Sequence, residues 1–202
     1  REEGLLEVYT QDGMEYLDPW VSRAFAVADH QIAHVYLDDA ADVDAVRTLL
    51  EGLDGVDRVL DADGKREMGL DHDRAGDLVV VAEPDAWFTY YYWTDDERAP
   101  DFAKMVEIHR KPGYDPAELF FDPEDRAAKV KAGVALARKK AGLRYKMQVV
   151  PLDPSPVSGS HGRLPDDPAH GPVLICSDPT LTRDTWALTD VKDLILRAGG
   201  LA

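Results

Sequence analysis

Cysteine, long apolar runs and positive charge are all scarce in this sequence. The single cysteine, Cys176, excludes an internal disulfide and any cluster of thiolate ligands for zinc or iron–sulfur. No apolar run approaches the ~18–20 residues that cross a bilayer, and no signal peptide opens the sequence, so we expect a soluble, cytoplasmic protein without a membrane partner. Lysine and arginine number 23 against 39 acidic residues, a formal net charge of −16 that disfavours nucleic acid as a structural partner.

The remaining composition is that of a folded domain. The 202 residues are 45% hydrophobic and 31% charged, which is typical of globular proteins. This length suits one domain, or one domain with a small lobe. Residues 1–6 (Arg-Glu-Glu-Gly-Leu-Leu) read as the tail of a helix without a cap. That reading fits either a trimmed start or one piece of a longer protein.

Residues 1–100 are predicted to form a small α+β lobe with a β-α-β-β unit. Apolar residues at helical spacing predict a helix over 42–53. Residues 29–31 separate two strand-like runs and form either a turn or a bend within one strand, and residues 61–64 read as a turn. The strands are predicted at 24–28, 32–37, 56–60 and, as the most clearly buried one, 78–82.

Aromatic residues concentrate at 87–93 (Trp-Phe-Thr-Tyr-Tyr-Tyr-Trp). Such a cluster serves either as a base-stacking platform for single-stranded nucleic acid or as buried packing. Base-stacking platforms sit among lysines and arginines, whereas the residues flanking this cluster include Glu83, Asp85, Asp95 and Asp96. The sequence therefore favours packing at a junction between lobes.

Residues 101–202 are predicted to form a C-terminal segment with a basic helix, a histidine-bearing loop, a terminal strand and a helix. Residues 126–146 contain lysines and arginines but no acidic residue, so their helix either presents a solvated basic face or docks on an acidic surface. Its predicted apolar face consists of Val130, Val134, Ala137 and Ala141. A loop over 151–160, a strand over 173–176 and a helix capped by Thr189 and Asp190 complete the segment.

The sequence alone does not assign a role to several of the six histidines. His30 and His34 have the spacing of a zinc pair on a helix. In a strand, however, they lie roughly 13 Å apart, too far to share an ion. His72 lies in a charged turn, and His109 lies in an irregular segment that either contacts a phosphate or closes a loop. The role of Lys111, in the same segment, is open as well.

His161 is the candidate metal ligand. It lies in Ser158-Gly159-Ser160-His161-Gly162, where small residues let the backbone approach an ion closely. The loop comes directly before a predicted buried strand, where α/β enzymes place their ligands. No nucleophile elbow, phosphate-binding loop or dinucleotide fingerprint is present, and Cys176 lies in an apolar run that indicates an inert thiol. We therefore assign no catalytic and no cofactor-binding residue.

Two sets of short motifs resemble a known family. The first set is the Gly159-Ser160-His161-Gly162 loop, the strand after Gly171-Pro172 and the helix opened by Asp190. The second is Arg74-Ala75-Gly76-Asp77-Leu78, which leads into the 78–82 strand. Together they are similar to the carboxyl-terminal part of the alkaline phosphatase superfamily, in its type I phosphodiesterase/nucleotide pyrophosphatase branch. The resemblance implies an α/β fold, in which the α+β lobe joins the C-terminal strand–helix end of an alkaline-phosphatase-like sheet.

The resemblance carries one metal ligand, His161, onto this chain. Family members bind a phosphate ester between two zinc ions, where a Thr or Ser nucleophile attacks it. Their other ligands lie upstream of this region. Asp29-His30 is followed by Gln31 and not by the glycine of the family's Asp-His-Gly motif, so ligand status is not transferred to it. The resemblance therefore implies that this chain is the C-terminal portion of a metal-dependent hydrolase. Without the missing N-terminal part of the same protein, this portion is expected to be inactive and not to hold the two zinc ions.

Two other functions stay open at this point. One is a non-catalytic α+β interaction domain whose basic helix docks on an acidic partner. It predicts that His161 lies far from other side chains able to bind a metal. The other is a complete small metalloenzyme assembled from His72, His109, His161 and nearby carboxylates, which predicts tight stoichiometric zinc.

Overall fold

The computed structural model describes residues 1–106, 110–114, 117, 120–121 and 125–201. Two sheets, four α-helices and several short 3₁₀ turns make up the regular structure of these residues. The strands are β1 (Val8–Gln11), β2 (Met14–Leu17), β3 (Ala24–Asp29), β4 (Ile32–Leu37), β5 (Val56–Leu60), β6 (Leu78–Ala82) and β7 (Gly113–Tyr114). The helices are α1 (Val43–Glu51), α2 (Ala62–Glu67), α3 (Ala128–Lys140) and α4 (Val191–Ala198). None of these described helices has both the length and the apolar composition needed to span a bilayer.

The larger sheet is built around β6. Its five strands run in the order β5-β6-β4-β3-β7. All neighbouring pairs are antiparallel except β3 and β7. Every β6 residue is buried, as its unbroken aliphatic run predicts. The four predicted strands are thus confirmed, and the fold is a mixture of helices and antiparallel sheets, the α+β class.

Helices α1 and α2 both pack beside this sheet. In α1, Val46 is buried in the core, and Val43 and Leu50 pack against it, which confirms the predicted amphipathic helix. Residues 61–64 were predicted as a turn, and this is wrong. The Asp61 carboxylate accepts hydrogen bonds from the backbone N–H groups of Asp63 and Gly64, both at 3.0 Å, and so caps α2. Turns and helix N-termini favour the same residues, so the sequence alone did not distinguish them.

The N-terminal residues form a turn and a hairpin, not the end of a helix. Gly4 N–H donates to the Arg1 carbonyl at 2.9 Å, and the chain then enters the β1–β2 hairpin, which the sequence analysis did not predict. Glu15 of β2 is 1% exposed and pairs with the guanidinium groups of Arg1 and Arg98 at 2.6 and 2.8 Å. A buried carboxylate needs such partners, and here they tie the first residue to the hairpin.

The aromatic cluster is packing, as predicted. Tyr90, Tyr92 and Trp93 are buried and contact Phe102 and Met105 in a second apolar core. The indole N–H of Trp93 donates to Asp96 at 2.9 Å, which satisfies its polar edge. These three rings are therefore unavailable as a platform for bases.

Burial of Tyr92 predicts a loss of stability at high pH. Desolvation of its phenol raises the pKa from 10 to about 12, because the phenolate is disfavoured in the core. The contribution of the neutral Tyr92 phenol to the free energy of unfolding is therefore complete below pH 10 and is lost as the pH rises towards 12. It amounts to about 1–2 kcal/mol, because solvent screening reduces the effect of the full shift. Urea unfolding at pH 9 to 12 should show a steeper fall for the unmodified chain than for Tyr92→Phe; equal slopes would contradict the prediction.

Helix α3 is confirmed, but its packed side is not the predicted one. The buried residues are Ala128 and Ala135, whereas Val130 and Val134 are 67% and 55% exposed. Alanines occur on several sides of this helix, so apolar spacing did not identify the side that packs. The two valines instead line a groove of about 510 Å³, rimmed by cations. The lining residues are Val130, Lys131, Val134, Ala135, Arg138, Arg144, Tyr145 and Lys146.

The described chain divides into two units, Arg1–Arg163 and Leu164–Ala202. The second unit contains α4, which begins after Asp190 as predicted and buries Leu194. The strand predicted at 173–176 is wrong. Val173 and Ile175 are 82% and 90% exposed, and within the described residues no strand pairs with this run. Aliphatic residues alone do not make a strand, because its backbone groups need a neighbour. The boundary predicted near residue 100 stays a prediction.

Candidate functional site

The turn between β3 and β4 forms one side of the candidate site. Asp29 pairs with Ile32, which leaves His30 and Gln31 as a two-residue turn. His30 has φ +58, a left-handed conformation that such turns normally fill with glycine or asparagine. For another residue this costs roughly 1–3 kcal/mol and is found preferentially at functional sites.

Hydrogen bonds with the segment that follows β6 hold this turn in place. The buried Gln31 side chain donates from Nε2 to the carbonyls of Pro84 and Ala86 at 3.2 and 3.1 Å. Phe88 N–H donates to the His30 carbonyl at 2.8 Å. The turn is therefore anchored on both of its central residues, and the His30 imidazole is presented by a fixed backbone.

The loop of residues 158–162 forms the other side. Gln31 N–H donates to the His161 carbonyl at 2.8 Å, so the loop docks directly on the hairpin turn. Gly162 has φ +116, and a Cβ there would lie 3.3 Å from the backbone of Asp29, Gln31 and Ile32. Glycine is needed at this position both for the conformation and for the close approach.

These two segments bring Asp29, His30 and His161 together. One ligand atom from each lies within 4.8 Å of the others. The two imidazoles stack with centroids 3.9 Å apart and planes 16° apart. His30 Nδ1 lies 2.7 Å from the Ser160 hydroxyl, and His30 Nε2 lies 4.0 Å from an Asp29 oxygen. Asp29 and His30 are half-buried, whereas His161 is exposed, so the cluster opens to solvent on one side.

The donor types of this cluster suit a transition metal. Two imidazole nitrogens and one carboxylate oxygen are a common ligand set for zinc, and three protein ligands leave a coordination position for a substrate or water. The sequence analysis selected only His161 of the three. It set Asp29 and His30 aside because no glycine follows them. The one local signal that it passed over was a histidine in a turn position that favours glycine.

The other histidines within the described residues lie apart from the cluster. His34 Nδ1 accepts the backbone N–H of Gly76 at 3.0 Å, and burial lowers its pKa, with a further lowering by Lys65. This is a structural role in the sheet, so His30 and His34 do not share an ion. His72 Nδ1 accepts the backbone N–H of Arg74 at 3.1 Å in an exposed turn. His109 lies outside the described residues.

Lys111, whose role the sequence left open, is a core residue. It is 8% exposed, and its ammonium lies 5.7 Å from the centre of the Tyr90 ring. Its charge thus faces the Tyr90 ring of the aromatic core.

Two solved structures similar to this chain are of phosphonoacetate hydrolase from Sinorhizobium meliloti 1021, in complex with phosphonoacetate and with phosphonoformate. The first is 25% identical and covers 48% of this chain and 22% of that protein, with a TM-score of 0.31. The second is 24% identical and covers 47% and 21%, with a TM-score of 0.30. The chain thus spans about a fifth of the length of these proteins. No protein of curated function matches it.

The match to a family model covers more of the chain than the matches to solved structures do. The model of the family described as type I phosphodiesterase / nucleotide pyrophosphatase matches residues 1–115. This range includes the whole β-α-β-β unit and the hairpin turn with Asp29 and His30, and it ends before the loop that carries His161. Because the match covers more than half of the sequence, the chain belongs to the type I phosphodiesterase / nucleotide pyrophosphatase family.

Proposed function

We propose that this chain is the C-terminal portion of a metal-dependent hydrolase of phosphate esters, in which His161 is a metal ligand. The observation that carries the proposal is that His161 lies beside Asp29 and His30 in a cluster open to solvent, in a chain that belongs to this family. The substrate is proposed to be a phosphodiester or a nucleotide pyrophosphate, the classes for which the family is described.

The metal is proposed to be zinc, with two ions in the complete enzyme. Zinc supplies Lewis acidity that stabilises the negative charge developing on a phosphoryl group. Two zinc ions need about three protein ligands each, and the cluster in the described residues offers three in total. The remaining ligands and the nucleophile are therefore proposed to come from an N-terminal part of the same protein.

The residues of this chain would position and expose the ligand. Gly162 keeps the loop against the hairpin, and the Gln31 N–H fixes the His161 carbonyl. The exposed His161 imidazole faces solvent, where a substrate and the rest of the site can reach it. These contacts fix the backbone that carries His161, which favours the positioning that catalysis requires.

The proposal predicts hydrolysis by the longer protein and none by the 202 residues alone. Both would be assayed with bis-para-nitrophenyl phosphate, before and after treatment with a chelator. We expect activity only in the longer protein, lost on chelation and restored by zinc, because the nucleophile and most ligands are supplied upstream. A longer protein that is inactive with metal, or active after complete metal removal, would contradict the proposal.

The alternative function, docking of an α+β interaction domain on an acidic partner, keeps one supporting observation. The groove beside α3 combines exposed apolar side chains with a cationic rim, the surface that an acidic amphipathic segment would need. Its other prediction fails, because His161 is not far from metal-binding side chains. The hydrolysis assay separates the two functions.

The small metalloenzyme built from His72, His109 and His161 has less support. His72 lies in its exposed turn and is absent from the cluster around His161, which Asp29 and His30 form instead.

A further inference from the structure

We propose that Arg163 and Asp57 form a clamp that holds the 158–162 loop, and that both are positioning residues for His161. Arg163 directly follows this loop, and its guanidinium Nη1 lies 2.7 Å from an Asp57 carboxylate oxygen. Asp57 belongs to β5, an edge strand of the larger sheet, and lies 106 positions away in the sequence. The role of His161 as a ligand rests on the proposed function, whereas the existence of the clamp does not.

The Arg163 side chain is buried although it carries a charge. It is 7% exposed, and the Asp57 side chain is 33% exposed. Arginine is almost never buried without a partner, and removal of one member of a buried ion pair leaves an uncompensated charge. Ion pairs between two exposed side chains, by contrast, contribute little. The contact with Asp57 therefore fixes where residue 163 lies.

The backbone of β5 is irregular at the residue that Arg163 contacts. The pairing of β5 with β6 shifts register between Val56 and Arg58, so Asp57 is an extra residue without a partner on β6. A bulge of this kind re-aims a side chain, and bulges concentrate at sheet edges and beside functional sites. The irregularity of β5 thus lies at the acceptor of the clamp.

The clamp connects the loop to a part of the sheet that the hairpin turn does not reach. Gly162 packs against the backbone at the start of β4. Strand β6 lies between β4 and β5, and two strand spacings amount to about 10 Å. The long Arg163 side chain spans this interval, and the His161 carbonyl accepts the N–H of Gln31. The loop is therefore held at three consecutive residues, the first of which is His161.

Fixing this backbone should strengthen metal binding by His161 in the longer protein. An ion that binds to a loop with several conformations must also order that loop, and the lost conformational entropy reduces affinity. Partners that orient a metal ligand are worth about 10–100-fold in metal affinity or activity. We therefore expect the clamp to lower the zinc concentration that the longer protein needs, without adding a ligand.

The clamp is tested first in the 202-residue chain, without any metal. The N–H of Gln31 donates to the His161 carbonyl, so its hydrogen exchange reports how often the loop leaves the turn. In Arg163→Ala we expect this amide to exchange at least about 10-fold faster. The amide of Val80, in the centre of the sheet, should be unchanged, because the loop and not the sheet is released. An unchanged Gln31 rate in the folded variant would overturn the proposal.

Further variants separate the clamp from a general loss of charge. Asp57→Ala should also accelerate the exchange of Gln31, and the double variant should exchange no faster than Arg163→Ala alone, because both substitutions remove one contact. Arg58→Ala is the matched control. Its Nε lies 3.1 Å from the same carboxylate, and within the described residues this is its only ion pair, so the Gln31 rate should not change. Multiplied effects in the double variant, or acceleration by Arg58→Ala equal to that of Arg163→Ala, would overturn the clamp.

The effect on His161 is measured in the longer protein, as the zinc dependence of bis-para-nitrophenyl phosphate hydrolysis. Arg163→Ala should raise the zinc concentration for half-maximal hydrolysis about 10–100-fold and regain activity at saturating zinc, because every ligand remains. An unchanged half-maximal concentration in the folded variant would overturn the positioning role, since a purely structural contact would not alter it.

Failure of the clamp and failure of the proposed function give different results. A longer protein that hydrolyses nothing with metal would overturn the hydrolase, while faster Gln31 exchange in Arg163→Ala would still support the clamp. Zinc-dependent hydrolysis by the longer protein, with unchanged Gln31 exchange in Arg163→Ala, would overturn the clamp alone.

Discussion

Replacing His161 by alanine is expected to reduce phosphodiester hydrolysis by the longer protein at least about 100-fold. Removal of a residue that merely positions a metal ligand already costs 10–100-fold in activity or metal affinity, and His161 is proposed to touch the ion itself. The loss should appear in kcat/KM for bis-para-nitrophenyl phosphate, and added zinc should restore little of it, because the missing group is a ligand.

His170→Ala is the matched control for this experiment. His170 is exposed at the end of a short 3₁₀ turn and, among the described residues, does not belong to the metal-competent cluster. It should retain full activity. Thermal unfolding of both variants would show that each is folded, so that the loss in His161→Ala does not reflect a damaged fold. A folded His161→Ala protein that keeps more than a tenth of the activity would remove this residue from the metal site.

The site was only partly predictable from the sequence. His161 stood out because glycines and serines surround it and because its loop resembles a family motif. Asp29 and His30 did not, since their contact with this loop joins residues 130 positions apart. Local spacing carries no information about such a contact. Comparison with the family's Asp-His-Gly motif directed attention away from Asp29-His30, although the conformation of His30 marks it as a constrained position.

The fold shows the same division between local and long-range signals. Strand β6 was predictable because a short run of five aliphatic residues preceded by Gly76-Asp77 is typical of a strand buried on both faces. The run at 173–176 has a similar composition and yet remains exposed, because pairing depends on a neighbour that the local sequence does not reveal. The β1–β2 hairpin was missed because its strands mix polar and apolar residues, and its buried Glu15 is explained only by arginines far from it in sequence.

The Arg74–Leu78 motif has a structural explanation that the sequence did not provide. Gly76 is buried against the backbone of Val35 in β4. Its N–H donates to His34 Nδ1, and its carbonyl accepts a hydrogen bond from the Lys65 ammonium at 2.6 Å. Asp77 accepts the backbone N–H of Leu37 at 2.8 Å and so satisfies the end of β4. The motif therefore aligns β6 with β4, the strand that leads back to the turn carrying His30.

Replacing Gly76 by alanine is accordingly expected to destabilise the chain by about 3 kcal/mol, the upper end of the range for overpacked cores. A Cβ at this position would lie 2.6 and 2.7 Å from the carbonyl oxygen and nitrogen of Val35, and 2.8 Å from the carbonyl oxygen of Leu78. All three atoms belong to the backbone of paired strands, so relief requires the segment around Gly76 to move away from the β4–β6 pair. Urea unfolding followed by circular dichroism would measure the change.

The same substitution at Gly133 is expected to have the opposite effect on stability. Gly133 lies within α3, and among the described residues no atom outside the helix's own backbone lies within 4 Å of the place that an alanine methyl would take. Alanine there should therefore stabilise the helix by about 0.5–1 kcal/mol. If Gly76→Ala unfolded at the same urea concentration as the unmodified chain, the close approach of Gly76 to the backbone of β4 and β6 would be wrong. A large loss confined to Gly76→Ala would instead show that the Arg74–Leu78 motif is needed for the pairing of β6 with β4.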